Sequence, residues 1–263
     1  MKIVSEAASL GNGRLRQYAI VQKIACILIL LVFIQLLNQF LIFSGTALER
    51  AVSPTVQNPR FVVGVYQQLV QALTGLLLFR WLFNKSIQEL GINTWQQKRS
   101  LNFFLRFVWL WLAIVALYVA ATYFFFPNEW QAMRAIELPP TNTIVTTLLF
   151  QSFFPGMGEE ILFRGFIINV LAAFVFTNWR QNNASKWGFV VVSSGYFAVA
   201  HIYFTLSPWQ LTHIDPVQIA MAFGCGAFYA VVFLKTKSLL APFLSHNFAN
   251  VTSTLVGYLI SGV

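Results

Sequence analysis

The sequence predicts an all-α fold, a polytopic transmembrane helix bundle of about seven spans (six to eight). Of its 263 residues, 57% are hydrophobic and only 10% are charged, whereas soluble domains carry about 25% charged residues. The apolar residues also gather in runs of about 20 or more, which is enough for a helix to cross a bilayer. We therefore predict a single integral-membrane domain, 1–263, with no room for a soluble domain.

Seven spans and their short loops account for nearly the whole chain. The predicted spans are 24–48, 61–83, 101–126, 143–176, 188–206, 217–234 and 239–260. We divide them into an N-terminal part with spans one to three, 1–142, and a part with spans four to seven, 143–263, which carries the motifs and candidate catalytic residues described below.

The first three spans are recognised by what interrupts and ends them. The first follows a basic N-terminus and is too long for the apolar region of a cleavable signal peptide, so we expect it to be retained. Gln35, Asn38 and Gln39 interrupt it, and we expect these polar side chains to face other helices. The second span ends near Trp81, an aromatic residue typical of the membrane interface. The third stops at Pro127.

The fourth span is unusually long. It covers 34 residues, or about 50 Å at 1.5 Å per residue, which exceeds a bilayer core. We expect a bend at Pro155-Gly156 or a projection of the helix end into the aqueous phase. A bend there would fall just before two glutamates.

The last three spans are shorter, and two of them carry a histidine. His201 lies in the fifth span and His246 in the seventh. The sixth contains Cys225. This cysteine and Cys26 show neither a CxxC pair nor zinc-ligand spacing, so we expect both to be small packing residues.

The loops predict the orientation. Thirteen Lys and Arg residues lie at the N-terminus and in the second, fourth and sixth connections, whereas three lie in the other connections. By the positive-inside rule, the N-terminus is cytoplasmic and the C-terminus lies outside. This topology also explains the net charge of +9, so we expect no nucleic-acid partner.

Ionisable side chains occur in the apolar stretch 154–166. Placing the ionisable side chains of Glu159, Glu160 and Arg164 inside a membrane costs free energy. We therefore hypothesise that they belong to a functional site. Glu160 and Arg164 are four residues apart, so they can form an ion pair on one helix face. Glu159 points elsewhere and is free to react. The alternative is that all three form one buried network that fixes helix packing.

The two histidines of the spans each have a partner at i, i+4 spacing. Phe197 shares a helix face with His201, and His246 shares one with Asn250. A single intramembrane histidine is usually a packing residue. Two histidines together with a glutamate pair are harder to explain by packing alone. The third histidine, His213, lies in a polar loop and is expected at the surface.

Three chemistries could use these groups. In the first, Glu159 is a general base that activates a water, His201 shares the proton transfer, and His246 and Asn250 stabilise the oxyanion. In the second, Glu159, His201 and His246 bind zinc, although no H-E-x-x-H pair supports this. In the third, the same groups relay protons or bind an ion in a transporter.

Three motifs in this order resemble those of a known family. Glu159 to Arg164 is similar to an EExxxR motif, Phe197 to His201 to an FxxxH motif, and His246 to Asn250 to an HxxxN motif. The resemblance is to the CPBP family of intramembrane proteases. That family includes type II CAAX prenyl endopeptidases and bacteriocin-processing or immunity proteins, and is also called the abortive-infection family. The similarity covers about 145–260.

The resemblance implies an intramembrane endopeptidase. Glu159 would activate the water with the aid of His201, while His246 and Asn250 would form the oxyanion site. The glutamate mechanism needs no metal, so no cofactor is expected, with zinc as the alternative. Three further motif residues would have supporting roles: Glu160, Arg164 and Phe197.

The expected partners are the lipid bilayer and a membrane-associated peptide or protein substrate, lipidated or not. Two functions of other classes stay open at this point: a membrane transporter or ion-handling protein, and a catalytically silent membrane scaffold. A transporter should show broken helices at matching positions in two halves. Here the polar groups concentrate in the C-terminal half, which disfavours it. Neither the substrate nor the oligomeric state is indicated.

Overall fold

The computed structural model describes residues 2–206 and 209–261, and these are almost entirely helical. This confirms the predicted all-α class, with one small two-stranded antiparallel hairpin added. The α-helices are α1 Lys2–Val52, α2 Pro59–Phe83, α3 Ile87–Leu90, α4 Gln97–Phe125, α5 Pro127–Arg134, α6 Thr141–Glu160, α7 Ile168–Val170, α8 Asn183–Val199, α9 Pro216–Thr236 and α10 Leu240–Ser261. Two π-helical stretches, Ile161–Ile167 and Leu171–Val175, flank α7, and the strands are β1 Tyr203–Leu206 and β2 Trp209–His213.

Four helices in the described part of the chain are long and apolar enough to cross a membrane. They are α2, α4, α9 and the portion Ala19–Val52 of α1. The predicted count of seven spans is therefore not confirmed. α8, which was expected to be the fifth span, has 17 residues, or about 25 Å, and is shorter than a bilayer core of about 30 Å.

The predicted fifth span, 188–206, is wrong at its C-terminal end. α8 stops at Val199, and the next turn is tighter, because the His201 N–H donates to the Ala198 carbonyl at 3.0 Å. Residues Tyr203–Leu206 then form β1, which pairs antiparallel with β2. The aromatic and β-branched residues of this segment favour a strand. His201 consequently lies in a turn, after the helix.

The predicted fourth span is a continuous helical run formed by α6, α7 and the two π-helical stretches, and its irregularity lies after the glutamates. α6 continues through Pro155 and Gly156 to Glu160, and π-helical geometry begins at Ile161. Stretches of π-helix are rare and are frequently found at functional sites. The change in geometry therefore separates the two glutamates from Arg164.

The π-helical stretch Ile161–Ile167 lies at the centre of the molecule, and all seven of its residues are buried. It packs in one hydrophobic cluster with side chains of α1, α2, α8 and α9. α2 approaches closely at Gly75, where a Cβ would lie 3.0 Å from the Cα of Leu162. The core therefore surrounds the segment that carries the glutamates and Arg164.

Candidate active site

Glu160 and Arg164 form a fully buried ion pair, with side chains 1% and 2% exposed. Arg164 Nη1 donates to Glu160 Oε1 at 3.2 Å, and Nε lies 3.2 Å from Oε2. The guanidinium also donates from Nη2 to the Gly226 carbonyl at 3.3 Å and lies 4.3 Å from the ring centre of Phe197. Arg164 thus neutralises Glu160 and links the π-helical stretch Ile161–Ile167 to α8 and α9.

His246 lies between the two glutamates. Its Nδ1 is 2.8 Å from Glu160 Oε1, and its Nε2 is 3.8 Å from Glu159 Oε2. Because a carboxylate only accepts hydrogen bonds, Nδ1 carries a proton that it donates to Glu160. The imidazole is also stacked on Tyr229, with ring centres 5.6 Å apart and planes at 15°. The position and tautomer of His246 are therefore fixed, and Nε2 faces Glu159.

Glu159 is less enclosed than its neighbour, with a side chain 16% exposed. Its Oε1 accepts a hydrogen bond from Gln68 Nε2 of α2 at 3.3 Å. Sequence reasoning had not assigned Gln68 to the site. The signal available was a cluster of glutamines in the second apolar span.

His201 is held by its own segment. Its Nδ1 lies 2.8 Å from the Phe197 carbonyl oxygen. Because a carbonyl only accepts, Nδ1 carries a proton, which leaves Nε2 as the nitrogen that can exchange one. The ring of Phe197 lies edge-on to both imidazoles, with centres 5.1 Å from His201 and 5.8 Å from His246. Phe197 therefore packs between the two histidines.

A cavity of about 310 Å³ joins three of the four residues with predicted catalytic roles, His201, His246 and Asn250. Glu159 does not line this cavity, but its Oε2 lies 3.8 Å from Nε2 of His246, which does. The other walls are mostly apolar and come from α4, α9 and α10, and include Trp111, Val115, Met221, Ala222 and Val256. The polar groups thus border a hydrophobic space.

Asn247 is a buried polar residue that the motifs did not single out. Its Oδ1 accepts a hydrogen bond from the Gly156 N–H at 2.8 Å. A Cβ at Gly156 would lie 2.7 Å from this oxygen and 2.9 Å from the Phe243 carbonyl. Glycine therefore allows α10 to approach α6 just before the glutamates. The sequence feature that could have identified Asn247 is its position directly after His246 in an otherwise apolar helix.

The donors proposed for zinc do not converge. Among the side chains that the structure describes, those of residues 19–205 and 210–261, no group of three His, Cys, Asp or Glu has an arrangement that could hold a metal ion. His246 faces a carboxylate at each nitrogen, and His201 Nδ1 faces a carbonyl. The residues present do not fit a zinc centre formed by Glu159, His201 and His246.

Comparison with known proteins identifies the C-terminal part of the chain. Residues 140–252 match the family described as Rce1-like, type II CAAX prenyl endopeptidase. Neither a curated protein nor a solved structure matches the chain significantly. The matched region contains all three motifs, from Glu159 to Asn250, and the match confirms the resemblance seen in them. Residues 140–252 are therefore similar to the Rce1-like family of type II CAAX prenyl endopeptidases.

Proposed function

We propose that this protein is an intramembrane endopeptidase in which a glutamate and histidines activate water. The observation that carries the proposal is His246, which joins Glu159 to the buried Glu160–Arg164 pair and also lines an apolar cavity. A separation of 3.8 Å between His246 Nε2 and Glu159 Oε2 is too long for a direct hydrogen bond, and suits a water shared by both groups.

In the proposed reaction, the Glu159 carboxylate takes a proton from this water, and the oxygen attacks the carbonyl carbon of the scissile peptide. The carbonyl oxygen becomes an oxyanion, which is stabilised by the Asn250 amide and by His246, whose Nε2 receives the water proton from Glu159. His201 Nε2 then assists the return of the proton to the leaving amine. One water is consumed, and the C–N bond is replaced by a carboxylic acid and an amine.

Glu160 supports this reaction through His246. Its carboxylate holds Nδ1–H, so the proton exchanged by His246 is the one on Nε2. Arg164 balances the charge of Glu160 before the reaction begins. Glu160, which was expected only to support the helix, thus has a second proposed role: it positions His246.

The proposed substrate is a membrane-associated peptide with a hydrophobic or prenylated segment. The cavity beside His201 and His246 is lined mainly by apolar side chains, and the family name supplies the prenylated CAAX peptide as the first class to test. A membrane-anchored leader peptide, as in bacteriocin processing, is the second class. The cytoplasmic N-terminus and external C-terminus, which the basic loops predict, remain part of the proposal.

A cleavage assay tests this function. The purified protein in lipid nanodiscs is incubated with a farnesylated CAAX peptide, and the products are identified by mass spectrometry. We expect release of the residues that follow the prenylated cysteine, loss of cleavage in His246→Ala, and unchanged cleavage in His213→Ala, because His213 is exposed on β2. Failure of the wild-type protein to cut both this peptide and a membrane-anchored leader peptide would overturn the proposal.

The same assay examines the metal question. We expect cleavage to persist after treatment with a chelator, and the protein to contain no stoichiometric zinc by elemental analysis. Loss of activity on chelation that zinc restores would support the alternative mechanism.

A further inference from the structure

Three carboxamide side chains of α1 hold the segment that carries His201. We call Gln35, Asn38 and Gln39 the α1 amides, and the segment 199–204 the His201 turn. Gln35 Nε2 donates to the Val199 carbonyl at 3.1 Å, Asn38 Nδ2 donates to the Ala200 carbonyl at 2.9 Å, and Gln39 Nε2 donates to the Phe204 carbonyl at 2.8 Å.

The end of α8 explains why these donors are needed. The last carbonyls of a helix have no partner within the helix. In apolar surroundings each unsatisfied carbonyl is costly, because no bulk water replaces the missing donor. Residues at i, i+3 and i+4 share one helix face, so the α1 amides form one row of donors along α1. This row meets the chain where α8 gives way to the turn.

A further hydrogen bond ties α1 to α8 before the turn begins. The Tyr196 hydroxyl donates to the Ile27 carbonyl at 2.8 Å. The contacts with α1 therefore follow the chain from the last turns of α8 into β1.

The ring of His201 is hydrogen-bonded through Nδ1 to the carbonyl of Phe197, in the last turn of α8. This bond orients the ring on the segment, but it does not fix the segment in the molecule. We propose that the α1 amides are positioning residues that place His201 at the cavity it shares with His246. The inference rests on the proposed function. It assigns part of the site to a helix outside the matched region 140–252.

Substitutions that remove only the donor test this inference. The substitutions keep the approximate side-chain shape: Gln35→Met, Asn38→Leu and Gln39→Met. Each is studied singly, so that if one variant fails to fold, the other two still test the inference. The control is Gln67→Met, because Gln67 Nε2 donates to the Leu41 carbonyl of α1 at 3.2 Å, away from the His201 turn. In the farnesylated-peptide assay we expect kcat to fall by about 10- to 100-fold with KM unchanged, and the control to behave as wild type.

A second measurement separates positioning from a general effect on the fold. In a His201→Ala background we expect Asn38→Leu to cause no further loss of the residual activity, because its effect acts through the missing imidazole. An equal loss in both backgrounds would overturn the inference, as would α1 variants that behave like the Gln67→Met control.

Histidine NMR gives a readout that does not depend on activity. Nitrogen-15 spectra are recorded in His213→Ala protein, which removes the surface ring. We expect a single Nδ1–H tautomer for His201 that becomes averaged in Asn38→Leu and stays single in Gln67→Met. An unchanged His201 signal in Asn38→Leu contradicts the inference. If the wild type shows no cleavage while the NMR change occurs, the proposed function fails and the positioning of His201 by α1 stands.

Discussion

Glu159 and Glu160 are neighbours in the sequence, but their side chains are 16% and 1% exposed. Glu160 is neutralised by Arg164 and bonded to His246, whereas Glu159 meets Gln68 and the Nε2 atom of His246. Spacing alone predicted the pairing of Glu160 with Arg164. The bond from His246 could not be predicted from spacing, because it joins residues 86 positions apart in different helices.

Removal of Arg164 tests how strongly the buried pair stabilises the protein. Arg164→Met leaves the Glu160 carboxylate buried without its cation, and we expect a loss of about 3–5 kcal/mol in unfolding free energy. The measurement is the midpoint of thermal unfolding in detergent. The control is Arg60→Met, whose partner Glu49 is 3.9 Å away at an exposed site, so its midpoint should not move. Equal midpoints for both variants would contradict the account.

Gly158 precedes the two glutamates and lies against α2. A Cβ at this position would lie 2.6 Å from the Gln68 carbonyl oxygen and 2.8 Å from its Cα. Gly158→Ala should therefore cost about 1–3 kcal/mol by overpacking, and lower activity by displacing the donor to Glu159. Unfolding midpoints and cleavage rates measure both effects.

Gly224→Ala is the matched control, because its Cβ would meet no described atom within 4 Å. We expect this variant to retain stability and activity. If Gly158→Ala were equally silent, α2 would not have the close contact that places Gln68 beside Glu159.

Helix boundaries show where sequence patterns are least informative. The apolar run predicts a helix through His201, but α8 ends at Val199, and donors from α1 satisfy the carbonyls that follow. The π-helical stretch that begins at Ile161 has no signal in the apolar pattern either. Both features depend on contacts with other helices, which periodicity does not contain.

The C-terminal end of α9 contains a lysine in unusual surroundings. Lys237 has a φ of 56°, follows the last residue of the span, and lies with its Nζ 4.8 Å from the ring centre of Trp179. Burial, together with the nearby Arg180 guanidinium, lowers the pKa of Lys237 from 10.5 to about 8. The charged form is thus disfavoured in the folded protein.

The sign of the resulting pH dependence follows from linkage. Between about pH 8 and 10.5, the unfolded chain binds the Lys237 proton and the folded protein does not, so this lysine makes stability rise with pH. We expect the unfolding midpoint of wild type, relative to Lys237→Met, to rise across this range. The control is Lys235→Met, an exposed lysine two residues earlier. A constant difference between wild type and Lys237→Met would contradict the prediction.

For the whole molecule, composition was enough to predict a helical membrane protein, and the three motifs were enough to predict the protease family that residues 140–252 match. The predicted number of spans is not confirmed, because α8 and the π-helical stretches depart from simple apolar helices. The single domain, 1–263, remains a prediction. Contacts from α1 through Asn38, and from α2 through Gln68, favour it, since both reach the site from outside 140–252.

The most direct measurement is the kcat of Glu159→Gln for the farnesylated CAAX peptide, in protein whose unfolding midpoint equals that of wild type. The amide cannot take a proton from water, so we expect kcat to fall by at least about 100-fold. Glu137→Gln, at an exposed position between α5 and α6, should keep full activity. Cleavage by Glu159→Gln at the wild-type rate would contradict the claim that Glu159 activates the water.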